Sequence, residues 1–218
     1  MSAEAYLTAA TSIAARVVGT QLEAIKEAGE RLADALASGG RLWVFGTGHS
    51  HLLAEELYAR AGGLADVRAV LEPALMLHEG PHKSSALERL TGLAEILVED
   101  RGIAAGDVVI VASNSGRNAV PVEFAACCVA RGAYVIAVTS LAHTRSVPSR
   151  VPSGHKLADV ASLVIDNCGV PGDAVLPGDP PYGATSTVAG TLIVQAIACE
   201  AVSRMPAPRV LRSFNVDS

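Results

Sequence analysis

Two short stretches of this chain carry side chains suited to gripping an anion. Gly106–Asn118 reads GDVVIVASNSGRN, an apolar run emptying into hydroxyl and amide side chains. Ser113 and Ser115 offer hydroxyl donors, Asn114 lies between them, and Gly116 lets a ligand approach the backbone closely. A helix is predicted to open after this loop, with Pro121 tolerated in its first turn. Free N–H groups and the positive end of the helix dipole would then favour a phosphate there. An ordinary N-cap is the plainer reading of the same residues. The phosphate reading gains from a second loop of the same kind upstream, Gly46-Thr47-Gly48-His49-Ser50-His51. It too follows an apolar run and precedes a helical pattern.

These loops need strands to deliver them and helices to receive the chain. Apolar runs at Arg41–Phe45, Val67–Leu71, Val108–Ala112, Tyr134–Thr139 and Ser162–Asp166 read as buried strands. Helical patterns lie between them: Ala3–Ala37, with Gly19 and Gly29 as candidate bends, then Leu52–Ala61, and Ser85–Glu99, where Ser85 and Glu88 have capping-box spacing. Another runs from the second loop to about Arg131, and Ala184–Ser203 closes the chain. Glu72–Ser84 and Ser140–Lys156 read as irregular loops, the latter long enough to be functional or mobile. Strict alternation predicts an α/β fold, a three-layer sandwich with a five-stranded parallel sheet between helices. Ligands in such sheets bind at the carboxyl ends of the strands, where every polar loop falls. We expect one domain over 1–218, with residues 1–37 as a helical segment and 40–205 as the core.

Composition narrows the function. At 50% hydrophobic residues and only 4% aromatic, the core is built from small aliphatic side chains. A net charge of −5 with no Lys/Arg run argues against nucleic acid as a partner. No basic leader or uninterrupted apolar span points to a membrane, and a cytoplasmic location is expected. Cys127, Cys128, Cys168 and Cys199 form no C-x-x-C pair and read as reduced thiols. Cys127 or Cys199 as a nucleophile competes with the reading of a small buried hydrophobe. The first loop also invites a dinucleotide reading, with Glu72 after the next strand, but His51 stands where the third glycine belongs. His78-Glu79-Gly80-Pro81-His82 formally matches a zinc hydrolase motif. Gly-Pro at its centre opposes the helix that motif requires, so no metal and no cofactor is expected.

With both loops in hand, the chain resembles the sugar isomerase (SIS) domain family. The resemblance rests on RLWVFGTGHS at 41–50, GDVVIVASNSGRN at 106–118 and YVIAVTS at 134–140. A finer likeness, Gly183-x-Thr185 through Ala189-Gly190-Thr191, is to N-acetylmuramic acid 6-phosphate etherases and glucokinase regulatory proteins. GHSHLLAEEL at 48–57 and VIDNCGVPGDA at 164–174 resemble uncharacterised bacterial SIS proteins. The family implies a phosphosugar held between the two loops, with Ser50, Ser113, Ser115 and Asn118 on the phosphate; the loops themselves place Gly48, His49 and Asn114 beside it. It implies a homodimer or homotetramer whose partner subunit helps close the site.

Family chemistry begins with removal of the proton at C2 of the sugar, which needs a carboxylate base. Glu55 and Glu56 follow Ser50 on a helix, and only one can face the cleft. Glu72 and Glu88 compete with them. The relatives carry a Glu ten residues after the loop Ser, where this chain has Arg60, so the base does not transfer directly. His78, His82 and Lys83 are loop candidates near the sugar, a His serving as acid or base. The expectation is an enzyme acting on a hexose or amino-sugar 6-phosphate of the N-acetylglucosamine 6-phosphate type. It would isomerise an aldose to a ketose or eliminate the C3 substituent, as a lyase or dehydratase. The alternative is a sensor that binds a phosphosugar without turning it over.

Overall fold

A computed structural model describes residues 2–213 and Asn215 of the chain. Helix α1, Ser2–Ala37, is one unbroken helix of 36 residues, so neither Gly19 nor Gly29 breaks it. Strand β1, Leu42–Gly46, leads through a 3-10 turn at Gly48–His51 into helix α2, Leu52–Leu57. Strand β2 is Val67–Val70. The polar stretch after it holds two 3-10 turns, Pro73–Leu75 and Leu77–Glu79. Helix α3, Pro81–Leu87, and helix α4, Leu93–Arg101, replace the single helix expected over 85–99. Pro81 sets the start of α3 at its first position, and left-handed Gly92 separates the two, so Ser85 lies inside a helix rather than capping one.

The remaining elements are strand β3, Val108–Ala112, helix α5, Ala119–Ala130, and strand β4, Tyr134–Thr139. Helix α6, Leu141–Ser146, lies within the stretch read as irregular, and helix α7, Leu157–Val160, follows directly after it. Strand β5, Leu163–Asp166, a 3-10 turn at Pro171–Asp173 and helix α8, Ser186–Arg204, complete the chain.

The five strands form one parallel sheet in the order β2-β1-β3-β4-β5. Both faces are covered, as an all-parallel sheet requires. Alternate side chains go to opposite layers. Leu42, Val44, Val108 and Ile110 pack with α1, α2 and α8. Trp43, Phe45, Val109 and Val111 pack with α4, α5 and α7, where Phe45 stacks on Phe124 at 4.1 Å. Helix α8 has the length and hydropathy of a membrane span, yet Ile193, Val194, Ile197 and Ala201 are buried in the first of these layers.

A buried carboxylate pins the two central strands. Asp107 accepts from Arg41 N at 3.0 Å, from Trp43 Nε1 at 2.9 Å and from Ala104 N at 3.2 Å. Val108 N donates to Arg41 O at 2.9 Å. The pairing then runs to Gly46 beside Ala112, so β1 and β3 end at the same level.

Helices α1 and α8 touch at Gly29. A Cβ there would stand 2.5 Å from Glu200 Cβ, whereas one at Gly19 meets nothing within 4 Å. We therefore expect Gly29→Ala to lower the unfolding free energy by about 1–3 kcal/mol through forced separation of the helices. Gly19→Ala should raise it by about 0.5–1 kcal/mol. Urea denaturation of the two variants, read side by side, checks both signs.

Candidate functional site

The strand order reverses direction at β1, so a crevice opens between the carboxyl ends of β1 and β3. The first loop enters it in a tight turn, with Ser50 N donating to Thr47 O at 3.0 Å. Only a glycine fits at 46, because a Cβ would lie 2.4 Å from the Ser50 carbonyl oxygen. His49 is exposed, but His51 is buried rather than turned onto the helix surface. Its Nδ1 bonds the Gly48 carbonyl and its Nε2 stands 3.4 Å from Glu55.

The second loop spans Ser113–Asn118. Ser113 N donates to Val138 O, and Ser113 Oγ accepts from Gly116 N at 3.2 Å. Asn114 O accepts from Ser140 N at 3.0 Å, and Thr144 Oγ1 donates to Ser115 O at 3.1 Å. The start of α5 is less open than a free helix terminus. Val120 N already donates to Glu88 O, and Pro121 has no N–H. The N–H groups of Asn114, Ser115 and Arg117 remain without a protein acceptor among the described residues.

Between the loops lies a narrow hollow. Its polar lining is Ser50, Ser113, Asn114, Asn167, Ser186 and Thr187, and no lining side chain is charged. The last two come from the N-terminus of α8, which Asp173 caps. Asp173 Oδ1 accepts from Thr185 N at 3.0 Å and Ser186 N at 2.8 Å, and Oδ2 accepts from Ser186 Oγ at 2.5 Å. Asn167 is buried, accepting from Gly169 N at 2.8 Å and donating Nδ2 to Asn114 Oδ1 at 2.9 Å.

Of the residues singled out from the sequence, Ser50, Ser113 and Asn114 meet in this hollow. Gly48, His49, Ser115 and Asn118 stand around the loops without lining it. Asn118 Oδ1 instead accepts from Arg150 Nη1 at 2.8 Å. None of the carboxylate or histidine candidates lines the hollow. Glu56 is held by Gln195 Nε2 at 2.9 Å and Arg60 Nη1 at 3.0 Å. Glu88 accepts from Thr47 Oγ1 at 2.8 Å, at the base of the first loop. Glu55 is half-exposed beside His51. Glu72 caps the turn after β2 by accepting from Ala74 N at 3.4 Å. His78 and His82 are exposed, and Lys83 pairs with Glu79. Among the described residues no three His, Cys, Asp or Glu side chains converge as metal ligands would. Burial raises the Cys127 thiol and pushes Cys128 up to about 12, which keeps both protonated and unreactive.

Ser186 and Thr187 were missed as site residues, although the closing helix that holds them stood out in the sequence. His143, half-buried against Asn114, was missed altogether. Its signal was Ser140, which caps α6 by accepting from His143 N at 3.1 Å.

A family model described as SIS domain matches residues 5–140. A UPF0309 protein of Listeria innocua is 41% identical over 220 residues, covering 98% of this chain and 89% of its own. A UPF0309 protein of Halalkalibacterium halodurans is 45% identical over 200 residues, covering 88% and 80%. Among solved structures, the phosphoheptose isomerase of Neisseria gonorrhoeae superposes with a TM-score of 0.64 at 19% identity, over 92% of this chain and 97% of that one. The Vibrio vulnificus NanR protein complexed with ManNAc-6P superposes with a TM-score of 0.55 at 17% identity, over 94% and 64%. At such identities these two structures establish the shared fold.

The Asp173 cap supports the hollow's wall, so Asp173→Ala should cost about 1–2 kcal/mol of stability by orphaning the Thr185 and Ser186 N–H groups. Chemical denaturation measures the loss. An unchanged midpoint would show that α8 needs no cap.

Proposed function

The chain belongs to the SIS-domain family, and we propose that it binds a sugar 6-phosphate in the hollow between the β1 and β3 loops and removes the proton from C2. One observation carries this reading. Hydroxyls of Ser50, Ser113 and Thr187 converge at the switch point of a parallel sheet, beside unpaired N–H groups of Asn114 and Ser115. Such a set of short-range donors suits phosphate oxygens. The phosphate takes the hollow and the sugar extends over the rim of the first loop.

The base is then one of the carboxylates on that rim. Both oxygens of Glu56 are engaged by Gln195 and Arg60, which makes it a structural group. Glu55 and Glu88 remain, each held by one neighbour on the first loop, His51 and Thr47 respectively. The carboxylate takes the C2 proton from the open-chain aldose, leaving an enediolate or its acetamido equivalent. Reprotonation at C1 gives a ketose. Loss of the C3 oxygen substituent gives an unsaturated aldehyde. A C2 acetamido group hinders the ketose outcome, so for N-acetylglucosamine 6-phosphate elimination is the favoured exit. The short likeness around Thr185–Thr191 supports elimination.

A second reading has its own observation. The hollow is lined without a carboxylate. A sensor holding a phosphosugar needs none, and a neighbour in fold is described as NanR complexed with ManNAc-6P. We also infer a homodimer or homotetramer. Val188 and Leu192 on α8 and Leu52 on α2 are exposed beside the lining residues Thr187, Gly190 and Leu53. A second copy would cover that rim, and light scattering on the eluting protein reads the mass.

The protein incubated with N-acetylglucosamine 6-phosphate, glucosamine 6-phosphate or glucose 6-phosphate in deuterated water decides between enzyme and sensor. Deuterium at C2, new ketose or ultraviolet absorbance of an unsaturated product supports catalysis. Tight binding without exchange supports the sensor. Ser113→Ala should weaken binding by about tenfold through one lost hydrogen bond. Full exchange in both Glu55→Gln and Glu88→Gln would remove these two residues from the mechanism.

A further inference from the structure

The bonds around Asn114 dictate the state of a histidine that the proposed reaction has not yet used. Gly169 N–H donates to Asn167 Oδ1 at 2.8 Å. A backbone N–H can only donate, so the orientation of the Asn167 amide is settled. Its Nδ2 therefore donates to Asn114 Oδ1 at 2.9 Å. Asn114 then turns its own NH2 toward His143 Nδ1 in a long contact of 3.5 Å. An NH2 group offers only donors, so Nδ1 carries a lone pair and the ring proton lies on Nε2. Nε2 has no protein partner among the described residues and is not among the buried unpaired atoms, so it is open to solvent.

The backbone that carries the ring is held in place from several sides. Ser140 N donates to Asn114 O at 3.0 Å, Ser140 Oγ accepts from His143 N at 3.1 Å, and Ser146 Oγ donates to His143 O at 2.8 Å. Helix α6 packs on the Pro171–Asp173 turn that caps α8. Burial pushes the imidazole pKa below its ordinary value. The Asp173 carboxylate opposes this and the Arg117 guanidinium adds to it, and burial dominates. Burial thus favours the neutral ring, and the Asn114 NH2 at Nδ1 favours the tautomer with its proton on Nε2.

We propose that His143 is a neutral Nε2–H donor at the rim of the hollow, contacting an oxygen of the bound sugar, and that Asn114 is a positioning residue that holds its tautomer. This rests on the phosphosugar reading above. Asn114 spends its oxygen on Asn167 and its NH2 on His143, so it serves the site through the histidine and its backbone N–H. A neutral imidazole keeps its proton. Its hydrogen bond strengthens as negative charge builds on the sugar oxygen after C2 deprotonation, which is the interaction catalysis needs.

The test pairs a spectroscopic readout with binding. In 15N-labelled protein, long-range proton–nitrogen correlation identifies the tautomer of each of the six histidines, with His143→Gln assigning the signals. The expected result is an Nε2–H ring at pH 7 that titrates below the ordinary histidine range. Asn114→Asp puts a carboxylate on Nδ1 and should raise the proton affinity of the ring by about tenfold or more. A His143 that is charged at pH 7, that carries its proton on Nδ1, or that ignores Asn114→Asp overturns the tautomer assignment. By calorimetry, His143→Gln should weaken N-acetylglucosamine 6-phosphate about tenfold and leave inorganic phosphate unchanged. Equal sugar affinity in His143→Gln and the natural protein overturns the contact while the phosphosugar reading stands. If the natural protein binds neither ligand, the phosphosugar reading falls and the sugar contact with it, whereas the spectrum still reads the tautomer.

Discussion

Everything at the site depends on β1 and β3 lying side by side in one register. Asp107 is the device that sets it. A buried carboxylate with three backbone or indole donors on it can be satisfied in one alignment of the strands, and a slip by one residue would also exchange the two buried faces. That clamp lies at the amino ends. Its effect appears at the far ends, where Gly46 and Ala112 finish level and release their loops into the same crevice. The helices follow from this. An all-parallel sheet must be covered twice, and the closing helix α8, which follows the last strand, brings Ser186 and Thr187 to the crevice.

The sequence exposes this architecture well where one local rule governs. Five apolar runs between helical patterns mark the strands, most clearly β1, β3 and β4, which are buried on both faces and need no polar alternation. Ser50, Ser113 and Asn114 are legible because glycines and hydroxyls cluster directly after such runs. Asn167, Ser186 and Thr187 are harder to assign. Nothing in their neighbours states which loops they will face, since that is decided by how the chain crosses the sheet. Ser85 and Glu88 misled for the opposite reason. Their spacing suits a cap, but Pro81 starts a helix earlier and Gly92 divides it, and backbone constraints outweigh a side-chain preference.

Arg60 stands where the family resemblance led us to expect a carboxylate. It pairs with Glu56, one turn back on the same side of the chain, and Gln195 completes the carboxylate's bonds. A pair of carboxylates on α2 is thereby divided into one that ties α2 to α8 and one, Glu55, that stays half-exposed. His51 contributes to the same division. Buried between the Gly48 carbonyl and Glu55, it links the shape of the first loop to the position of the free carboxylate.

A cradle of hydroxyls and amides holds its guest by dipoles, and dipoles do not titrate. The residues lining the hollow carry no ionisable group, so acidity reaches its grip through the visitor. A phosphate monoester gains its second charge near pH 6. An occupant of that class would be drawn in more strongly as the medium turns from acid to neutral, by walls that stay the same throughout.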